Sequence, residues 1–172
     1  MSKYIKIKDD RQKLDELYER IKELKNIEVR VGIFKEDSSF LLMIARVHEF
    51  GVSIKVTEKM RGYLASQGLY LRADTTHIEI PERSFVRSTA IEKEKEIRRK
   101  VSDMIEDFIL LEQTIETFSN NFGRYMRDLM REQMKDLKEP ELHPFTISQK
   151  GDDDPLIDSG NLLNGITYKV VR

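Results

Sequence analysis

The chain has 172 residues, and its 30 lysines and arginines meet 31 aspartates and glutamates, for a net charge of −1. That length fits one domain with a real core, and the balance speaks against a general nucleic-acid binder, which carries a basic excess or stripe. The absence of cysteine excludes disulfides, thiolate zinc sites and a cysteine nucleophile.

No apolar run approaches the ~20 residues needed to span a bilayer. The opening MSKYIKIKDD has no signal-peptide hydrophobic region. The expectation is a soluble protein kept inside a cell unless it leaves within a larger particle. From Asp10 to Lys25, apolar residues at Leu14, Leu17, Tyr18, Ile21 and Leu24 make one helical stripe. Asn26–Phe34 then alternates Ile27, Val29, Val31 and Ile33 on one face and reads as a strand. A second helix follows, with Ser38 or Ser39 as its cap and Leu42, Ile44, Ala45, Val47 and His48 along it. Gly51 is placed to end that helix.

Residues 52–81 read as an excursion. VSIKV is a strand, TEKMRGYLASQG a helix from Thr57 to a stop at Gly68, and THIEIP a returning strand ended by Pro81. Together they predict a projecting strand–helix–strand arm. From Ser84 onward a heptad-like seam runs through Ile97, Val101, Met104, Phe108, Leu111, Ile115, Phe118, Phe122, Tyr125 and Leu129. Unbroken, it would be about 70 Å long at ~1.5 Å per residue. The Ser119–Gly123 segment, SNNFG, is weak in helix interiors and predicts a break there, leaving two packed helices in place of an intermolecular coiled coil. The basic run Lys93–Lys100, interleaved with Glu94 and Glu96, reads as a solvated face with local ion pairs. Residues 139–155, with their prolines and three consecutive aspartates, predict an extended surface loop. After it, Asp158 or Ser159 caps a short helix, and ITYKVV supplies a closing strand. The whole, residues 1–172, predicts one α+β domain: a small antiparallel or mixed sheet packed against a long, broken helix.

The chemistry-bearing residues do not assemble into a catalytic set. His48, His77 and His143 lie in separate segments without metal-ligand spacing, and HEFG lacks the second histidine of a zinc-protease helix. His48 is expected to make a local hydrogen bond at its helix end. Asp152, Asp153, Asp154 and Asp158 form the best cation candidate and define the rival reading, a metal-dependent nuclease or processing enzyme. The calcium-loop pattern is only fragmentary there, and a solvated acidic loop is the simpler reading. A third class, a small DNA-binding regulator with its long helix as a dimer seam, would show steeply salt-dependent DNA affinity.

Three segments together resemble the neck or tail-completion (virion morphogenesis) proteins of long-tailed bacteriophages. The first is ARVHEFG, with His48, Glu49, Phe50 and Gly51 at a helix end. The second is IPERSFVR, carrying Pro81, Arg83, Phe85 and Arg87. The third is HPFTISQKGDDDPLIDSGNLLNGITYKV, with Leu156, Ile157, Asp158, Gly160 and Leu162 leading to the last strand. The resemblance covers roughly residues 45–170. It implies a non-enzymatic virion component at the head–tail junction, without cofactor, assembled in the bacterial cytoplasm. It implies a ring of this chain, a hexamer or a dodecamer, docked between connector, adaptor or stopper proteins and tail-tube or tail-terminator proteins. Genomic DNA would pass through without specific binding, and no membrane is involved. The motif residues would then serve structure and interface. Phe85 is expected to point inward as an anchor. Either arginine is within sequence reach of Glu49, Glu79 or Glu82. Arg83 is the favoured partner of such a carboxylate, and Arg87 lies on an exposed flank, open to an intersubunit contact or solvent. A phosphate grip at the helix N-terminus is the third option.

Overall fold

The computed structural model describes residues 11–110 and 113–172, with the backbone alone for 11–13. The expected helix residue Asp10 and the seam residue Leu111 lie outside the described residues. In chain order the elements are α1 (Arg11–Lys25), β1 (Glu28–Gly32), α2 (Ser39–Phe50), β2 (Val52–Lys55), α3 (Glu58–Ser66) and β3 (His77–Ile80). They continue as α4 (Phe85–Glu92), α5 (Glu94–Ile109), α6 (Ile115–Asp136), α7 (Pro144–Lys150), α8 (Asn161–Asn164) and β4 (Thr167–Val171). The class is α+β, as the sequence predicts.

The strands form two antiparallel pairs, not one sheet. Strand β1, which follows α1, pairs with the last strand, Val31 opposite Tyr168. Strands β2 and β3 pair within the arm, Ile54 opposite Ile78. Thr57 caps α3 through its hydroxyl, which accepts from the Met60 amide. The Arg61 guanidinium holds the return by donating to the carbonyls of Leu71, Arg72 and Thr75.

The long seam folds back on itself. Met104 and Phe108 of α5 bury against Phe118 of α6, with Leu24, Ile115 and Phe122 packed alongside. The Phe108 and Phe118 rings meet at 5.7 Å, a tilted contact within the favourable range. The predicted break at Ser119–Gly123 is displaced. Helix α5 ends at Ile109, α6 begins after the Thr114 cap, and SNNFG lies inside α6. Two local bonds and one close approach explain this. The Ser119 hydroxyl donates to the Ile115 carbonyl and the Asn120 amide to the Glu116 carbonyl, both one turn back, so these polar side chains are satisfied within the helix they were expected to interrupt. Gly123 lies under the Tyr168 ring of β4, where an added Cβ would come within 2.2 Å of Tyr168 Cδ2 and 2.7 Å of Cγ.

Gly123→Ala therefore has an expected sign opposite to helix propensity. Propensity alone would stabilise a helix by ~1 kcal/mol, whereas overpacking against the ring should destabilise by about 1–3 kcal/mol. Denaturant unfolding of Gly123→Ala, alone and with Tyr168→Ala, checks it. A gain in stability for the single variant would contradict the packing of α6 under β4.

The 139–155 segment is also more structured than predicted. His143 Nδ1 accepts from the Phe145 amide and Pro144 opens the helix, so α7 forms inside the expected loop. Near the end of the chain, neither Asp158 nor Ser159 caps α8. Gly160 occupies that position in the left-handed conformation, φ 77°, which glycine adopts without a Cβ clash. The basic run Lys93–Lys100 is largely exposed, with Arg98 and Glu94 paired one turn apart at 2.8 Å.

Candidate functional site

The three motif segments converge. Ala45 of α2, Phe85 of α4, Met130 and Met134 of α6, and Leu156, Leu162 and Ile166 form one buried cluster. Phe85 and Ile166 are fully enclosed. Phe85 is thus the inward anchor that the sequence predicts.

Above it sits a carboxylate clasp. Glu49 stands in the last turn of α2 and is buried. Its carboxylate accepts from the Ser84 hydroxyl at 2.6 Å, the Val86 and Arg87 amides at 3.0 Å each, and Arg87 Nε at 3.1 Å. A side chain at the end of one helix thereby caps the start of another, α4. The first amides of a helix lack intrahelical acceptors and carry partial positive charge, so an anion there is favoured twice. Arg87 closes the ring by donating Nη2 to the Glu49 carbonyl at 2.6 Å and to Glu82 at 2.7 Å. Its guanidinium lies 5.1 Å from the Phe50 ring centroid.

The chain path that makes this possible depends on Gly51. Its φ of 67° and ψ of 170° end α2 sharply. A Cβ there would stand 3.0 Å from both the Glu82 amide nitrogen and the Ile80 carbonyl oxygen. Immediately beyond, the Arg83 amide donates to the His48 carbonyl at 2.7 Å.

The intrachain carboxylate expected for Arg83 belongs to Arg87. Arg83, expected to pair with a carboxylate, is buried and donates instead to the carbonyls of Pro140 and Glu141, at 2.7 and 2.9 Å. Burial lowers its pKa from the usual arginine value. It straps the segment before α7 onto the start of α4. Arg87, expected on an open flank, is half-exposed yet engaged with Glu49 and Glu82 of its own chain. Glu79 pairs with neither arginine; it accepts from Ser53 on the facing strand.

His48 also departs from expectation. Among the described residues its Nδ1 is buried without a hydrogen-bond partner. Burial first, and the Arg83 charge second, hold its imidazole below the ordinary histidine range. A depressed pKa means the fold favours neutral His48. Its contribution is complete above the free value of ~6.5 and is lost as pH falls from there through the lowered folded value. His48→Gln should therefore flatten the acid side of the stability curve relative to wild type, read as melting temperature between neutral and mildly acidic pH. Parallel curves would contradict this.

The remaining motif residues divide by position. Leu156 and Leu162 are buried and Ile157 half-buried, whereas Asp158, Pro81 and Phe50 are exposed. Of the four aspartates, Asp152, Asp153 and Asp154 bring carboxylate oxygens within 4.8 Å of one another, and Asp158 is not part of that group. Asp154 is paired with Lys138, and its amide donates to Asp152. Sequence reasoning missed Ser84 and the carbonyls of Pro140 and Glu141. Their partners lie 35 to 58 residues away, so no local spacing signals them. No described helix is long and apolar enough to cross a membrane.

Comparison with protein-family models, curated proteins and solved structures finds no match to this chain.

Proposed function

We propose that this chain is a structural subunit of the head–tail junction of a tailed bacteriophage, acting as a ring that joins the DNA-filled head to the tail. One observation carries the reading. The three segments that resemble neck and tail-completion proteins, far apart in sequence, meet in one core and one clasp built from Ala45, Glu49, Phe85, Arg83, Arg87 and Leu156. Convergence of the three segments is what a shared fold built on them requires.

On this reading the clasp is structural. It fixes the root of the β2–α3–β3 arm, which starts at Val52 and returns at Ile80, against the helical body. The arm carries Tyr63 and Tyr70 outward, 65% and 80% exposed, as contact residues for a neighbouring protein. Connector, adaptor or stopper proteins on one side and tail-tube or terminator proteins on the other are the partners, with a hexamer or dodecamer of this chain between them. Such a ring needs two unlike surfaces on each subunit, and near-neutral net charge with many charges of both signs can supply complementary faces.

The test is negative-stain electron microscopy of a lysate from a producing strain with this gene interrupted. Separate full heads and complete tails are expected. Intact, infectious particles would overturn the reading.

A further inference from the structure

Helix α2 is apolar on both sides. Among residues 39–50 only Ser39, Arg46, His48 and Glu49 are polar. Ala45 and Ile44 face the core. On the outside Phe40, Met43 and Phe50 are 64%, 50% and 62% exposed. A helix hydrophobic all round is normally covered, and a contiguous exposed apolar face marks an interaction surface. Lys35 and Arg46 line the groove along this face, and among the described residues no carboxylate does. The nearest acids are engaged elsewhere: Glu36 and Asp37 with Lys169, Glu49 and Glu82 with Arg87. The face is therefore apolar with a cationic rim.

The far end of the helical hairpin has the opposite character. Leu110, at the end of α5, is 60% exposed beside the exposed Glu106 and Asp107. A second groove, between α1 and the start of α6, is lined by Glu16, Glu19 and Glu23 around Ile115. Arg20 also lines it, but its guanidinium donates to the carbonyls of Phe108 and Gln113. Glu19 has one exposed partner, Lys22, at 3.3 Å. This end packs around Phe118, whereas α2 packs around Met130 and Met134. The two surfaces are thus separated along α6 by ~22 Å, from Ile115 to Met130 at ~1.5 Å per residue.

We infer that the cationic apolar face of α2 receives the acidic α1–α5–α6 end of a second copy of this chain. The two patches match in charge and both have apolar centres. Because they are different surfaces on one subunit, the contact is head-to-tail, and repetition closes a ring or extends a filament. The inference deepens the ring reading and rests on it.

The test uses the purified full chain in sedimentation velocity, across a wide concentration range at low and high salt. Wild type should form assemblies larger than a dimer that weaken with salt. One variant reverses the α2 rim, Lys35→Glu with Arg46→Glu. A second reverses the acidic groove, Glu16→Lys with Glu19→Lys. All four positions are exposed, so folding should persist, as circular dichroism will check. Each variant alone should self-associate about tenfold more weakly or worse. Mixing the two should restore assembly, because the reversed rim of one meets the reversed groove of the other while the remaining faces meet as in wild type. A wild type that stays monomeric, a dimer as the end state, or a mixture that fails to recover overturns the inference. Those results would leave the junction reading standing, since that depends on what the interrupted gene does to heads and tails.

Discussion

Phe85→Ala is expected to destabilise the fold by about 3–5 kcal/mol, the range for truncating a buried phenylalanine. The side chain is fully enclosed and touches a cluster drawn from α2, α6 and the segment around α8, with Ala45, Met134 and Leu162 among its members. Several elements line the position, so a shift of any one of them does not close the cavity. For a chain of this size ~1 kcal/mol corresponds to roughly 2–4 °C in melting temperature, which puts the drop at about 6–20 °C. Phe85→Leu keeps most of the volume and should cost less than ~1.5 kcal/mol, a change the fold can survive. Thermal and urea unfolding of both variants check the pair. A loss below ~1 kcal/mol for alanine would mean that Phe85 does not anchor the core.

Glu49→Ala should come second, at about 2–4 kcal/mol. Loss of a helix cap costs roughly 0.5–2 kcal/mol, and each buried donor left unpaired adds about 1–3 kcal/mol, not fully additively. Here the donors, the Ser84 hydroxyl and the Val86 and Arg87 amides, are only part-buried, so each adds at the low end of that range. Glu49→Gln should lose less, because its amide oxygen still accepts from the backbone. Arg87→Ala should cost only about 1 kcal/mol, since that side chain is 48% exposed and a half-solvated ion pair is weak. The ordering is the discriminating result. If Arg87→Ala proves worse than Glu49→Ala, the clasp works as an ion pair and not as a cap. Phe85 and Glu49 act on the same turn of α4, so the double variant should fall short of the sum of the two.

Much of the local structure was legible, and the reason is that it is local. The arm's two strands, its Thr57-capped helix and the closing strand each carry their own period and cap, and each appears near its predicted bounds. The break in the long helix was misplaced because propensity read SNNFG as weak. Tyr168, 45 positions beyond Gly123 and on another element, makes the glycine necessary inside α6. The clasp was half legible. Glu49, Arg83, Arg87 and Phe85 stand out in the sequence, but the intrachain carboxylate belongs to Arg87, and Arg83 takes two backbone carbonyls that no spacing signals. What decides between them is the course of the chain after Gly51 and the carbonyls offered by residues 140–141, both products of tertiary packing. The α1 stripe shows the same limit. Leu17 and Leu24 are half-buried, whereas Leu14, Tyr18 and Ile21 remain exposed.

If this chain joins heads to tails, as proposed, purified protein should restore that step. A lysate lacking the chain, holding full heads and complete tails, would receive wild-type protein and be titrated for infectious particles. Infectivity is expected to rise by orders of magnitude with added protein, and the chain with its α2 rim reversed is expected to restore far less. No gain in infectivity, with heads and tails both present and the added protein folded, would contradict it.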